Sequence, residues 1–539
     1  MILSTPPPFL RAHALVAAAV LALIVLGHDG KRVLQLAGLA MPLVALMAWP
    51  IRRPRAHRIR MAVAWLWAMA FVVDGAARAY LLDRYGSAPD STLVLTAIAN
   101  TNARESAEYL AMHWRPATAW ASAVLAAGLV LGRCARHAAR AGDSLPKRSV
   151  LAVLALALAL SALSYAGKSW RRLHPAVFWA QWAGSVAELR AGWSDRAAER
   201  AALLRAARGA APSLAGSGPS TVVLVIADSV NRDNLGLYGY GRDTTPRLSA
   251  QKARLGDELL VLRNAWSADA STLPALRNLF GLGAGEAPLQ QHLLALARAA
   301  GYTIWWISNH DDIGIEQQHA RFADVVEMAN RTPGRSGASL DGALLDGVRA
   351  ALDDPADRKL VVVHLMGAHP HYRLRFPPGA NPFGDAPDRV EAGLADQGRP
   401  AWVRRLRQEY DAALLYHDSV VSETLELARS AGRAPAGRRA WMYLSDHAQE
   451  VGHGGDHAGH SPRTASGYRI PALVWRGAPA TAPAGPVEAR PFRSDWAGWT
   501  LADLMGLRWP GQAPERDVLD PGYRWNPPAL PFGTPSFAD

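Results

Sequence analysis

The chain has 539 residues, 50% of them hydrophobic, and carries a formal net charge of +12 with a single cysteine. This length exceeds one typical domain, so at least two are expected. Many of the basic residues lie beside apolar stretches, so the charge reflects membrane topology and indicates no nucleic-acid partner. Because Cys134 stands alone, internal disulfides and thiolate metal sites are excluded.

The first third of the chain contains five apolar stretches, each near the roughly 20 residues that a membrane-spanning helix needs. They are Leu10–Leu26, Val33–Trp49, Met61–Leu82, Pro116–Leu131 and Val150–Ala166. A buried core helix explains any one of them, and a cleaved signal peptide explains the first, but neither explains all five. We therefore expect a five-helix transmembrane domain over residues 1–167.

Basic residues follow the second and fourth stretches, at 52–60 and 133–148. Cytoplasmic loops carry an excess of Lys and Arg, so both segments are expected inside, the second of them as a loop that contains Cys134. Lys31 and Arg32 oppose this orientation in one short loop. With five spans, the polar loop 83–115 and everything after Ala166 lie outside. The topology predicts a multi-pass protein of a bacterial inner membrane with a periplasmic domain.

Residues 168–220 form a connector that is rich in Trp and Arg, including Trp179 and Trp182. This composition is typical of a helix at the level of the lipid headgroups, and packing against the soluble domain is an equal alternative. The end of the connector, 211–220, is rich in Pro, Ser and Gly and predicts a flexible linker.

Residues 221–539 alternate between apolar strand patterns and helical patterns. The strand candidates are Val222–Ala227, Thr303–Ile307, Leu360–His364, Ala440–Leu444 and Pro471–Trp475. The helical patterns between them include Leu289–Ala300, Gly342–Leu352 and Tyr410–Ser430. Such alternation is typical of a mostly parallel sheet with helices on both faces, an α/β/α sandwich.

Two of these strands end on groups that can bind a metal. Asp228 follows the first strand, and Asp446-His447 follow the fourth. Ligands gather at the carboxyl ends of parallel strands, and carboxylate and imidazole groups suit zinc. A helix N-cap is an equal alternative for Asp228 alone.

Histidines cluster in two further places. His364 lies at the end of the third strand and fits a core histidine, whereas His369 lies in the loop beyond it and fits a group that meets substrate. The Gly-rich stretch 452–459, which can wrap a ligand closely, contains or adjoins His453, His457 and His460, and an exposed flexible loop is the alternative.

A hydroxyl nucleophile is available at Ser271 or Thr272, just before the helical pattern Leu273–Leu282. A helix start favours a bound phosphate, and zinc on the hydroxyl oxygen lowers its pKa. Either residue could instead be the helix cap.

These motifs resemble the phosphoethanolamine transferases, inner-membrane members of the alkaline phosphatase and sulfatase superfamily. The resemblance is carried by 228–246, by the run 364–369, by 410–418, by 445–451 and by Thr101-Asn102-Ala-Arg-Glu105 in the outside loop. The sequence 364–369 and the lack of disulfide cysteines resemble the branch that modifies lipopolysaccharide core heptose more than the lipid A branch.

The resemblance implies one firm zinc site, with a second transient zinc left open. The implied zinc ligands are Asp228, Thr272, Asp446 and His447, with Thr272 as the nucleophile and Ser271 as its rival. The implied binders of the phosphoryl group are His369 and His460, with His457 as the rival of His460. The sequence departs from the family at Asp228, commonly Glu, at Asn231, usually Arg, and at Ala448-Gln449, usually Gly-Glu.

The implied reaction has two steps. Thr272 takes phosphoethanolamine from phosphatidylethanolamine and passes it to a lipopolysaccharide acceptor, either lipid A or a core sugar. Two alternatives remain open: a phosphoglycerol transferase or sulfatase-like hydrolase on the same site, and a catalytically dead lipid-binding relative. The expected domains are 1–167 in the membrane, the connector 168–220, and the catalytic domain 221–539.

Overall fold

We analysed a computed structural model of the chain. It describes residues 18–533 except 29, 49–52, 86, 102, 139–151, 167–172, 195, 283–290, 330–338, 385–387, 432–436, 478–483 and scattered residues between 153 and 164. The chain forms two compact units. The first comprises Met1–Ala99 and Leu110–Leu189, and the second comprises Asn100–Tyr109 and Arg190–Asp539.

Helices make up the amino-terminal part. They are α1 (Gly30–Ala48), α2 (Pro54–Tyr85), α3 (Thr92–Asn100), α4 (Ala103–Ala138) and α5 (Pro175–Ser194). Among the described residues, α2 is the one helix long and apolar enough to cross a membrane by length and composition. It contains the predicted third span, Met61–Leu82.

The other four predicted spans are covered by described helices to different extents. The second and fourth overlap α1 and α4, and within α1 the run Arg32–Leu43 is a shorter apolar helix. The first and fifth lie partly outside the described residues, so the number of spans stays a prediction. The loop predicted around Cys134 is wrong, because α4 continues to Ala138.

A seven-stranded mixed sheet forms the centre of the second unit. Its strands are β1 (Ser220–Ala227), β2 (Leu259–Val261), β3 (Thr303–Ser308), β4 (Val325–Met328), β5 (Arg358–Leu365), β6 (Arg438–Ser445) and β7 (Ala472–Arg476). The spatial order is β2-β7-β6-β1-β5-β3-β4. All neighbours are parallel except β7, which runs antiparallel to β6 and β2. The predicted, mostly parallel sheet is confirmed.

Helices cover this sheet in two groups. The helices of the unit are α6 (Ala197–Gly209), α7 (Pro246–Leu255), α8 (Thr272–Phe280), α9 (Leu293–Ala299), α10 (Ile313–Gln318), α11 (Leu345–Asp353), α12 (Arg389–Asp396), α13 (Ala401–Ser430), α14 (Ala484–Ala489) and α15 (Ala497–Met505). Helices α7, α11 and α13 pack together, and so do α8, α9 and α15. Because α13 and α15 both contact β1 and β6, the central strands are buried between helices.

The central strand β1 shows why the sequence folds this way. Its run of aliphatic residues from Val222 to Ile226, four of them β-branched, is completely buried. Strands covered on both faces are apolar throughout, without the alternation of a half-exposed strand. β1 pairs in parallel with β5 and β6, in registers that place Ala227 opposite both Leu365 and Ser445. The residues after these three strands therefore emerge together at one edge.

Candidate active site

Asp228, Asp446 and His447 come together at this edge. One ligand atom from each lies within 4.8 Å of the other two, and all three residues are buried. His447 Nε2 is 3.6 Å from one carboxylate oxygen of Asp228 and 3.7 Å from one of Asp446. The sheet register explains the meeting, because β1 and β6 are parallel neighbours that end at the same level.

The donor set fits a zinc ion. The Oδ1 atom of Asp446 accepts backbone N–H groups of Ser229 (3.2 Å) and His447 (2.6 Å), whereas its Oδ2 is buried without a hydrogen-bond partner among the described residues. A buried carboxylate oxygen without a donor is costly unless a cation faces it. His447 Nδ1 lies 3.0 Å from the carbonyl oxygen of Ala448 and donates to it, which leaves the Nε2 lone pair for a metal.

The hydroxyl of Thr272 completes this group. Its Oγ1 lies 3.1 Å from Asp228 Oδ2 and 3.4 Å from His447 Nε2. Thr272 is the first residue of α8, and Ser271 is its N-cap residue without a side-chain capping bond. The partial positive charge of a helix start favours a developing alkoxide or a bound phosphate there. The described contacts thus join Thr272 to the metal group and give none from the Ser271 hydroxyl.

The loop after β1 is held rigidly. Ser229 adopts a left-handed φ of 67°, its hydroxyl donates to Asp228, and its carbonyl accepts a 2.7 Å bond from Tyr410. Gly367, with a φ of 54°, packs so closely that a Cβ atom there would lie 2.5 Å from the Asp228 carbonyl oxygen. Asp228 is bonded to Ser229 and Thr272, and its side chain caps no helix among the described residues.

Two of the departures from the family pattern contact one another. Asn231 Nδ2 donates to the carbonyl oxygens of Gln449 (3.0 Å) and Ser466 (2.9 Å). Gln449 Nε2 in turn donates a 2.8 Å bond to the hydroxyl of Ser229, which itself donates to Asp228. Both residues therefore support the orientation of Asp228 through neutral hydrogen bonds.

The candidate substrate-binding histidines fall into two groups. The ring of His460 lies 4.7 Å from that of His447 and 6.3 Å from that of His369, which places both candidates beside the metal group. His457 Nε2 lies 3.0 Å from the carbonyl oxygen of His460, so its described contact is with the backbone. His364 is buried as expected, but it stacks on the ring of His310 at 4.0 Å and contacts the Ser308 hydroxyl rather than the backbone.

Sequence reasoning missed His310. This buried residue follows β3, and its Nε2 lies 3.9 Å from Asp228 Oδ2 while its Nδ1 lies 3.3 Å from Asp312. Burial opposes the positive charge, but hydrogen bonding to Asp312 and the charge of Asp228 prevail and raise its pKa to about 9. The rule that found Asp228 and Asp446, namely inspection of the residues after each parallel strand, would have found His310 as well.

The segment Asn100–Tyr109 belongs to the same compact unit as the sheet. Glu108 forms a buried ion pair with Arg375, which also donates to the carbonyl oxygen of His369 at 3.0 Å. Burial and the charges of Asp312 and Asp311 raise the pKa of Glu105 to about 8. The segment that the family resemblance singled out therefore places an acid close to the residues after β3.

The carboxylates of the metal group repel one another in the absence of a cation. Burial and the negative charge of Asp228 raise the pKa of Asp446 to about 7. Burial would also raise the pKa of Asp228, but the charges of His369, His447 and His310 overcome it and lower that pKa. A divalent cation between the carboxylates removes this repulsion.

Residues 220–506, more than half of the chain, match the sulfatase family model. The chain therefore belongs to the sulfatase family. Within this family it is 29% identical over 329 residues to phosphoethanolamine transferase EptC of Escherichia coli (strain K12), which covers 57% of this chain and 55% of that protein. The chain thus spans about half the length of the curated relatives it matches.

Two solved structures are similar. The C-terminal periplasmic domain of EptC from Escherichia coli, in complex with Zn, has a TM-score of 0.52 at 28% identity and covers 58% of this chain and 89% of that one. The integral membrane protein lipooligosaccharide phosphoethanolamine transferase A from Neisseria meningitidis has a TM-score of 0.59 at 20% identity, over 94% of this chain and 98% of that one. The second likeness shows a shared fold along most of the chain.

Proposed function

We propose that the chain is a zinc-dependent phosphoethanolamine transferase that uses phosphatidylethanolamine as donor and a lipopolysaccharide as acceptor. The observation that carries this proposal is the meeting of the Thr272 hydroxyl with Asp228, Asp446 and His447. The similarity to EptC, whose periplasmic domain was solved with zinc, supports the choice of metal and of transferred group.

In the proposed mechanism, Asp228, Asp446, His447 and the Thr272 oxygen would hold one zinc ion, which would acidify the hydroxyl and offset charge on the phosphoryl oxygens. The Thr272 oxygen attacks phosphorus, and the bond to the diacylglycerol oxygen breaks. An acceptor oxygen then attacks the phosphothreonine and releases Thr272. A hydroxyl nucleophile that forms a covalent intermediate divides one difficult transfer into two easier steps.

His369 and His460 are the proposed ligands of the transferred phosphoryl group. Burial lowers the pKa of both rings, so they act as neutral N–H donors to phosphoryl oxygens near pH 7. In the same proposal, the lone pair of one ring takes the proton that Thr272 loses and passes it to the departing diacylglycerol oxygen, and the acceptor's proton returns to Thr272 by the same route in the second step. His457 orients His460 through the backbone contact described above.

The acidic residues around Glu105 suit the ammonium end of the donor headgroup. Glu105 lies near Asp311, Asp312 and His310, and burial together with the charges of the two aspartates raises its pKa. A primary ammonium group, such as that of ethanolamine, would be attracted by this charge and would stabilise it in return. A glycerol headgroup offers no such charge, so this cluster favours phosphoethanolamine over phosphoglycerol.

The cellular arrangement is part of the same proposal. Residues 1–167 would anchor the protein in the bacterial inner membrane, residues 168–220 would connect, and residues 221–539 together with the loop 83–115 would act in the periplasm. A membrane anchor suits a reaction whose donor is a lipid and whose acceptor is a glycolipid. The resemblance to the core-heptose branch makes a core sugar the first acceptor to test.

Mass spectrometry of lipopolysaccharide from cells with and without the protein tests this function. Cells that express the wild-type chain should gain one phosphoethanolamine group on lipopolysaccharide, whereas cells that express Thr272→Ala should not. Ser271→Ala is the matched control and should retain the modification. With headgroup-labelled phosphatidylethanolamine in vitro, release of free phosphoethanolamine without any labelled acceptor would contradict the transferase and favour a hydrolase.

A further inference from the structure

A cleft in the second unit is lined by Arg196 just before α6, by residues of α6 and α8, and by the segment that includes His319. Its charged and polar lining includes Arg196, Glu199, Arg200, Arg277, His292 and His319. We call it the Arg277 cleft. None of these residues belongs to the metal group or to the proposed substrate-binding histidines.

Positive charge dominates the Arg277 cleft. Three arginines face one acid, Glu199, which pairs with Arg196 at 2.7 Å. Arg200 donates to the backbone carbonyl oxygen of Gln317 at 3.2 Å and forms no ion pair within the described part of the chain. The exposed side chain of Arg277 has no hydrogen-bond or ion-pair acceptor among the described residues. Arg196 Nε is buried without an acceptor within the same part of the structure.

The two histidines of the cleft, His292 and His319, add one N–H donor, and their hydrogen bonds determine which ring nitrogen carries the proton. His292 Nδ1 accepts the backbone N–H of Leu294 at 3.3 Å, so the proton of the neutral ring lies on Nε2. That Nε2 lies 3.2 Å from His319 Nδ1 and donates to it. The neutral ring of His319 then carries its own proton on Nε2.

Burial keeps both rings neutral, because it lowers the pKa of His292 to about 3 and that of His319 well below its ordinary value. His319 is 2% exposed, and its Nε2 has no hydrogen-bond partner among the described residues. A buried N–H donor without an acceptor is costly, and each nearby guanidinium adds to the demand for negative charge. Both observations indicate that an acceptor with several oxygens completes the site.

We propose that the Arg277 cleft binds a phosphate group, held by the guanidinium groups of Arg196, Arg200 and Arg277 and by the Nε2–H of His319. Guanidinium groups bind phosphate oxygens in bidentate geometry, and the excess of two positive charges over Glu199 matches a phosphate anion. The phosphate could come from a free phosphate ion or from the headgroup of an anionic phospholipid.

The order of segments along the chain supports a phospholipid headgroup as the source of the phosphate. Arg196 closely follows Leu189, the last residue of the unit that contains the apolar helix α2. The cleft also shares α8 with the candidate nucleophile, since Thr272 is its first residue and Arg277 lies in its last turn. A phosphate in the cleft would therefore contact the helix that carries Thr272 without contacting the metal group. The inference does not rest on the proposed reaction.

Calorimetric titration of the full-length, zinc-loaded protein in detergent with inorganic phosphate tests the inference. Arg277→Gln should weaken the cleft's binding at least about tenfold, since a charge-assisted hydrogen bond is lost. The double variant Arg200→Gln/Arg277→Gln should abolish it. Any phosphate binding at the metal group stays the same in all variants. Arg205→Gln is the matched control, because Arg205 is an exposed arginine of α6 outside the cleft lining.

A second titration with dihexanoyl phosphatidylglycerol separates the two sources. Binding at least tenfold tighter than inorganic phosphate, and lost in the double variant, supports a lipid headgroup. Equal or weaker binding of the lipid, with phosphate binding still lost in the double variant, supports a free phosphate ion. The inference is overturned if wild type and double variant bind phosphate alike, or if Arg205→Gln weakens binding as much as Arg277→Gln.

Discussion

Asp446→Asn should change the stability of the protein in opposite directions with and without zinc. In the metal-free fold, burial and the charge of Asp228 raise the pKa of Asp446 from 3.8 to about 7. A raised pKa means that the folded state loses stability as the pH rises from the ordinary value to the raised one. At pH 8 the ionised carboxylate therefore costs the metal-free fold roughly 4 kcal/mol, at about 1.4 kcal/mol for each pKa unit.

Asparagine removes this cost while its oxygen still accepts the N–H groups of Ser229 and His447. The metal-free variant should therefore melt several degrees above the metal-free wild type at pH 8. Zinc reverses the order, because a ligand at 1,000 times its Kd stabilises wild type by about 4 kcal/mol, whereas the variant has lost an anionic ligand. The diagnostic result is a reversal of order: the variant has the higher melting temperature without zinc, and wild type has the higher one with zinc.

Differential scanning calorimetry of both full-length proteins in detergent, first with EDTA and then with excess zinc, measures their melting temperatures in each state. Asp346→Asn is the control, since the side chain of Asp346 is 93% exposed and its loss should change stability by less than about 0.5 kcal/mol. The reasoning is refuted if Asp446→Asn is no more stable than wild type in EDTA, or if zinc stabilises both proteins equally.

Three further outcomes are expected. Thr272→Ala should lose transferase activity by roughly 1,000-fold or more, and Thr272→Ser should retain part of it, whereas Ser271→Ala should stay near wild type in a labelled-headgroup assay. Gly367→Ala should destabilise the protein by about 1–3 kcal/mol in thermal unfolding, because its Cβ meets the Asp228 backbone, and Gly379→Ala, also at positive φ but in open space, should cost less. Glu105→Gln should raise KM for phosphatidylethanolamine more than it lowers kcat, and unchanged steady-state constants would argue against the ammonium site.

The sequence predicted the parts of the fold whose burial leaves a clear pattern. The mostly apolar runs within β1, β5 and β6 identified the central strands to within a few residues. β2 and β4 were missed because they contain three and four residues, too few for a periodic signal, and β4 is partly exposed at the sheet edge. The membrane part was harder, because apolar composition alone does not show where a helix ends, as the continuation of α4 through Cys134 demonstrates.

The sequence predicted those site residues that come directly after a strand. Asp228 and Asp446-His447 could be predicted because parallel neighbours bring their carboxyl ends together. His457 and His460 could not be separated, since they lie in a Gly-rich loop whose path no local pattern fixes. The folded structure places the ring of His460 beside that of His447.

Peptide mapping by mass spectrometry tests the central claim most directly. The full-length, zinc-loaded protein would be mixed with phosphatidylethanolamine in the absence of acceptor and quenched in acid. We predict one phosphoethanolamine group on the peptide that contains Thr272, with fragment ions that assign it to Thr272 and no adduct in the Thr272→Ala variant. An adduct on Ser271 or any other residue would contradict the account, and so would the absence of an adduct on Thr272 in a preparation that transfers the group rapidly once acceptor is added.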